Sequence, residues 1–87
     1  MSEETLLEFP CDFPIKMMGR DEDGFREIAR QLVEKHAGPV DDSAVQTSLS
    51  AKGNFVSVTV TVTATSREQL DNIYREDSAH DAVLMAL

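Results

Sequence analysis

The chain has a single cysteine, Cys11, and no tryptophan among its 87 residues. One thiol can neither close an internal disulfide nor assemble a cysteine metal cluster within the chain, so no covalent or metal staple is expected. Positive charge is scarce as well: eight Lys and Arg against sixteen Asp and Glu leave a formal charge of −8. Such a chain repels the phosphate backbone that supplies most nucleic-acid affinity, so DNA and RNA are not expected partners. No apolar run approaches the ~20 residues of a membrane-spanning helix. The first eight residues carry Glu3, Glu4 and Glu8 and lack the basic region and long apolar stretch of a secretory signal. Cytoplasm is the expected location, with no membrane partner. The acidic surplus itself reads as solubility and names no partner.

What is present is an ordinary globular composition, 41% hydrophobic and 28% charged, in a length that allows one small core. Residues 1–10 read as a flexible acidic tail and 11–87 as a single domain. From Phe13, the alternation of Phe13, Ile15 and Met17 against Pro14, Lys16 and Met18 predicts a strand ended by Gly19. Asp21 is the expected N-cap of a helix whose stripe is Phe25, Ile28, Ala29, Leu32, Val33 and His36, stopped by Gly38 and Pro39. Val56, Val58, Val60, Val62 and Ala64, alternating with Ser57, Thr59, Thr61 and Thr63, predict a strand with one buried face. A tight turn centred on Gly53 and Asn54 would pair Val45, Thr47, Leu49 and Ala51 with Val62, Val60, Val58 and Val56. Ser66 and Gln69 form a capping box opening a second helix that runs to about Ser78, with Leu70, Ile73 and Tyr74 as its apolar stripe. Asp81 to Leu87 then reads as a fourth strand, with Val83, Met85 and Leu87 facing the core and Ala82, Leu84 and Ala86 facing away.

The order βαββαβ is the split βαβ pattern of a ferredoxin-like α+β sandwich: an antiparallel four-stranded sheet of order 4-1-3-2 with both helices on one face. The other face would expose Lys16, Met18, Phe55, Ser57, Thr59, Thr61, Thr63 and Leu84.

Four segments are also similar to a known family: Phe-Pro-x-x-Phe-Pro-Ile-Lys-Met-Met-Gly at 9–19, Glu-Lys-His-Ala at 34–37, Lys-Gly-Asn-Phe-Val-Ser-Val-Thr-Val at 52–60, and the closing Val-Leu-Met-Ala-Leu. Together they resemble the YbeD-like family of small bacterial proteins. The resemblance implies an ACT-like regulatory fold and carries the label of lipoate-regulatory protein, with no catalytic set. Ala86 is smaller than the residue that family places in its terminal strand.

Because many functions run on this fold, each candidate site stands on its own residues. The exposed positions of the two central strands, Lys16, Met18, Ser57, Thr59 and Thr61, offer no aromatic on which a base could stack. Gly19 to Arg26 is similar to the glycine-rich phosphate loop of acylphosphatases, which makes a small hydrolase the alternative reading. Asp21, Glu22 and Asp23 would however put negative charge at the mouth of such a loop. His36 reads as a helix C-terminal residue bonding the last carbonyls, His80 as part of a solvated turn, and Cys11 as a small buried hydrophobe. No catalytic residue, metal ligand or cofactor is assigned. Two groups remain for binding. Lys16, Gly19 and Arg20 gather positive charge beside a glycine, where ACT-like proteins hold small effectors. The last strand is an edge whose outward face adds Leu84 and Ala86 to Met18 and Phe55. The expected function is a non-enzymatic regulatory or adaptor module that binds a small metabolite or a protein partner, acting alone or as a homodimer, with self-association or partner docking through this edge or the adjoining face.

Overall fold

A computed structural model describes residues 8–20, 24–49 and 53–86. Strand β1 spans Cys11–Arg20, helix α1 Phe25–Ala37, β2 Val45–Leu49, β3 Phe55–Ala64, helix α2 Arg67–Ala79 and β4 Met85–Ala86, with a single 3₁₀ turn at Asp42–Ala44 before β2. The strands form one antiparallel sheet in the order β2-β3-β1-β4. This is the ferredoxin-like α+β arrangement expected from the element order. Phe9, within the expected tail, packs against the core.

The core lies between the sheet and the two helices. Ile15 and Met17 of β1 pair with Val60 and Val58 of β3, and all four are fully buried. Ala29 and Val33 of α1 and Ile73 of α2 close the layer from above, each with no exposed surface. The helix stop at Gly38 is as expected: its φ is +79°, a region open to glycine, and its N–H donates to Glu34 O at 3.0 Å. The Ser66 cap is present too, with Ser66 Oγ accepting from Gln69 N at 3.1 Å. The reciprocal bond goes one residue further back, from Thr65 N to Gln69 Oε1 at 2.7 Å.

Four details depart from the sequence reading. Helix α1 begins at Phe25 after Gly24 at φ +91°; the expected cap Asp21 lies outside the described residues. The β2–β3 register is displaced by two: Val45, Thr47 and Leu49 face Val60, Val58 and Val56. A displacement of two residues leaves every side chain on its own face, so alternation cannot detect it and only the connection decides. Gly53 has φ +72°; Ser50, Ala51 and Lys52 lie outside the described residues. Among the described residues of the expected core face of β2 only Val45 is buried, and Leu49 is 61% exposed. Finally, β4 is two residues long and its phase is opposite to the one expected. Val83 N donates to His80 O at 3.0 Å, so a turn consumes the first residues of the supposed strand. Met85 then pairs with Met18 on the open face, while Ala86 pairs with Met17 and packs against the core. Leu87 lies outside the described residues.

Candidate functional site

Period two along β1 separates the residues expected to form one anion-binding group. Lys16 and Arg20 are exposed on the open face, opposite Thr59 and Phe55, and their Cα atoms are roughly 13 Å apart at the rise of an extended strand. Gly19 points the other way and is buried. A Cβ there would meet the Phe25 ring, coming within 2.6 Å of Cζ, and would lie 2.7 Å from the Ala82 carbonyl oxygen. The space beside Gly19 is filled by the protein itself. Its role is to let the first residue of α1 and the turn before β4 approach the sheet.

Arg26, the arginine of the supposed phosphate loop, is committed as well. Its Nη2 donates to Asp42 Oδ1 at 2.8 Å and to Val45 O at 3.4 Å. The guanidinium beside it holds the Asp42 carboxyl below the usual aspartate range. Residues 21–23 of that loop lie outside the described residues.

The open face carries a different cluster. Met18 and Met85 are cross-strand partners, and Leu84 N donates to Met18 O at 2.7 Å. Leu84 and Met85 are each 51% exposed and Phe55 is 40% exposed. Around them the face is built of Ser57, Thr59, Thr61 and Thr63, with Lys16 and Arg20 on either side of Met18. Neither cation has an ion-pair partner among the described residues, whereas Arg26, Arg30 and Lys35 each have one. Of the four residues expected at a partner surface, the structure places Met18, Phe55 and Leu84 at the surface and turns Ala86 inward. Met85 belongs to the cluster, whereas one unbroken alternation from Asp81 to Leu87 puts it on the core face.

Between the helices lies a polar group that the helical periods did not announce. His36 Nε2 is 2.8 Å from Glu76 Oε1, and Lys35 pairs with the same carboxylate. Hydrogen bonds from Lys35 and then His36 hold Glu76 below the usual glutamate range. His36 therefore reaches across to α2, and its own carbonyl accepts from Gln69 Nε2 at 3.0 Å. The neighbouring Asp77 is fully buried, and neither of its carboxylate oxygens has a hydrogen-bond partner among the described residues. Burial first, and the Glu76 charge second, push its pKa up to about 6, with His36 opposing them. Burial, with the Asp77 charge, also raises the Tyr74 phenol. Asp77 stands seven residues after Leu70 and four after Ile73, on the same helical stripe, and that spacing was the available signal. His80 Nδ1 accepts from Ala82 N at 3.0 Å and so shapes the turn into β4. A groove of about 340 Å³ lined by Ile28, Gln31, Leu32, Lys35 and His80 runs over the outside of this layer. Cys11 is a free, half-buried thiol against the core. Among the described residues no three His, Cys, Asp or Glu side chains gather as a metal site, and no helix is long and apolar enough to cross a membrane.

Comparison with known proteins places this geometry in a group. The family model described as "Protein of unknown function (DUF493)" matches residues 4–87. A UPF0250 protein of Nitrosomonas europaea is 42% identical over the full length of both chains. One of Paraburkholderia phytofirmans is 50% identical over 97% of this chain and 94% of its own. Among solved structures, the solution structure of protein HP0495 from H. pylori matches with a TM-score of 0.70 at 18% identity, covering 93% of this chain and 85% of that one. At that identity the likeness establishes the fold.

Proposed function

We propose a function from the premise that the chain belongs to the DUF493 family, the YbeD-like small bacterial proteins also designated UPF0250: it is a non-enzymatic adaptor that docks a protein partner through one corner of its open sheet face. The observation that carries this reading is the Met18–Met85 pair. Together with the half-exposed Phe55, Leu84 and Met85 it sets apolar side chains into a face that otherwise carries hydroxyl and charged residues, Ser57, Thr59, Thr61 and Thr63 beside Asp12, Lys16 and Arg20. Single exposed apolar residues need no explanation, but a contiguous group framed by polar residues is the form of a docking surface. Flexible thioethers suit such a surface because they adapt to the shape of what they meet.

Lys16 and Arg20 define the partner's charge. They are cations without ion-pair partners among the described residues, on a chain of net charge −8. A partner offering carboxylates around an apolar side chain fits them, and the rest of the acidic surface repels misplaced approaches. The reading as a small-metabolite site is weaker, since Gly19 faces Phe25 and Ala82 while Lys16 and Arg20 face the opposite side.

Affinity capture from a bacterial extract with wild type, Met85→Lys, Arg20→Glu and the helix-face control Glu68→Lys tests the proposal. The expected outcome is a protein recovered by wild type and the control and lost with the other two. Equal recovery by all four removes the open face as the docking surface.

A further inference from the structure

We propose that the end of α2 and β4 form a pH-gated flap: ionisation of Asp77 opens residues 77–86 locally, carrying Leu84 and Met85 off the sheet while the rest of the fold stays closed. Among the described residues Asp77 is the only charged or polar side chain that is buried, and neither of its carboxylate oxygens has a hydrogen-bond partner there. A protonated carboxyl tolerates such a place, whereas an ionised one without donors loses its hydration uncompensated. Its position in the helix adds to the cost. The last turn of α2 holds Glu76 and Asp77 and no base, so ionisation sets a second negative charge at the end where the helix carbonyls already point. The groups around it offer no relief. On α1, Lys35 and His36 are both bound to Glu76. On α2, the Tyr74 phenol is itself pushed up by burial and by the Asp77 charge. His80, in the turn, accepts from Ala82 N, and the sheet residues beneath the helices, Ile15, Met17, Val58 and Val60, carry no charge.

What ties down the chain on each side of Asp77 decides which opening hydrates that charge. Before it, Glu76 is bound to α1 by Lys35 and His36, and Ile73 is fully buried. After it, the core takes one buried residue, Val83, with Ala82 and Ala86 packed beside it. The backbone of this stretch is held by His80 N to Asp77 O at 3.2 Å, Val83 N to His80 O at 3.0 Å and Leu84 N to Met18 O at 2.7 Å. A strand of only two residues follows. Parting α1 from α2 would instead expose Ala29, Val33 and Ile73, all without exposed surface. The flap therefore yields first, as a local unit of low stability hinged after Glu76. The buried carboxyl titrates at about 6, against the ordinary 3.8. The closed flap is accordingly most stable below pH 3.8, and that advantage is lost as pH rises through about 6. Leu84 and Met85 present their apolar side chains in the closed state, so acidification favours docking; this consequence rests on the reading of the open face as a docking surface.

Native-state hydrogen exchange of the full chain at about pH 4 and about pH 7, with urea added below the unfolding transition, reads the opening directly. After correction for intrinsic rates, the amides of His80, Val83 and Leu84 are expected to exchange through an opening that urea scarcely promotes. That opening lies lower in free energy than the one exposing the paired amides of β1 and β3. Protection of the three amides is expected to fall roughly fiftyfold from the lower to the higher pH in wild type, the span set by 3.8 and about 6. Asp77→Asn is expected to abolish the fall. Val83→Ala, which loosens the flap without touching the carboxyl, is expected to raise exchange of the same amides at both pH values and to keep the fall. Exchange of the three amides only together with the β1–β3 core overturns the inference, since the segment then opens only with the whole fold. So does protection that is level with pH in wild type, or a fall that survives Asp77→Asn. The measurement needs no partner, so a failure of the flap and a failure of partner capture are separate results.

Discussion

Gly19 and Phe25 are in contact across the turn from β1 to α1, the glycine lying where any Cβ would strike the phenyl ring. The glycine's φ is not in the left-handed region, so the requirement is space rather than backbone conformation. Gly19→Ala is expected to destabilise the fold by about 1–3 kcal/mol, the usual cost of overpacking. Urea denaturation measures it. The loss should shrink when Phe25→Leu removes the ring edge, because neighbours in contact do not add independently; an additive double variant would show that Phe25 is not the obstacle.

Asp77 makes stability depend on pH in an unusual direction. Its folded pKa of about 6 lies above the ordinary 3.8, so between those values the folded chain holds a proton that the unfolded chain has released. The carboxyl then favours folding most below pH 3.8, and that advantage falls as pH rises through about 6. Retention of the proton to about pH 6 corresponds to a penalty of about 3 kcal/mol on the ionised fold at pH 7. Asp77→Asn, which cannot ionise, is expected to be more stable than wild type at pH 7, and the difference should narrow at pH 4.5. Parallel urea melts at the two pH values give the result.

Glu76 contributes to that elevation through its own charge, while Lys35 and His36 keep it ionised. Removal of the charge by Glu76→Gln is expected to lower the midpoint at which Asp77 titrates. Carboxyl ¹³C chemical shifts followed against pH would show the Asp77 midpoint moving below about 6, or reveal that burial alone sets it.

The Ser66 cap is a local device whose loss should be felt by α2 as a whole. Ser66→Ala removes the acceptor of the Gln69 amide and is expected to cost about 1 kcal/mol. Hydrogen exchange should be fastest to rise in the first turn of α2, and a uniform change across the sheet would contradict a local cap.

The elements themselves were legible because their signals are local. The stripe Phe25, Ala29, Leu32 and Val33, the stop at Gly38 and the alternation of Val56 to Ala64 each depend on residues within a few positions of one another, and all correspond to observed structure. The exposed apolar cluster proposed as a docking surface was legible only in part. Met18, Phe55 and Leu84 are at the surface as expected, but Met85 was hidden by the assumption that seven residues form one strand.

Pattern and capping in the sequence alone determined the strand and helix order, which face of β3 is buried and where each helix ends, since period and hydrogen-bonding chemistry act over one or two turns of chain. Tertiary structure decided the rest. The β2 register depends on a connection whose shift by two changes no side-chain face. The phase of β4 depends on the His80 turn that consumes its first residues. Gly19 is small because a helix and a turn from elsewhere in the chain converge on it. Asp77 shares the α2 stripe of Leu70 and Ile73, which its spacing shows, but only the packed fold shows that its carboxyl is buried with neither oxygen hydrogen-bonded among the described residues.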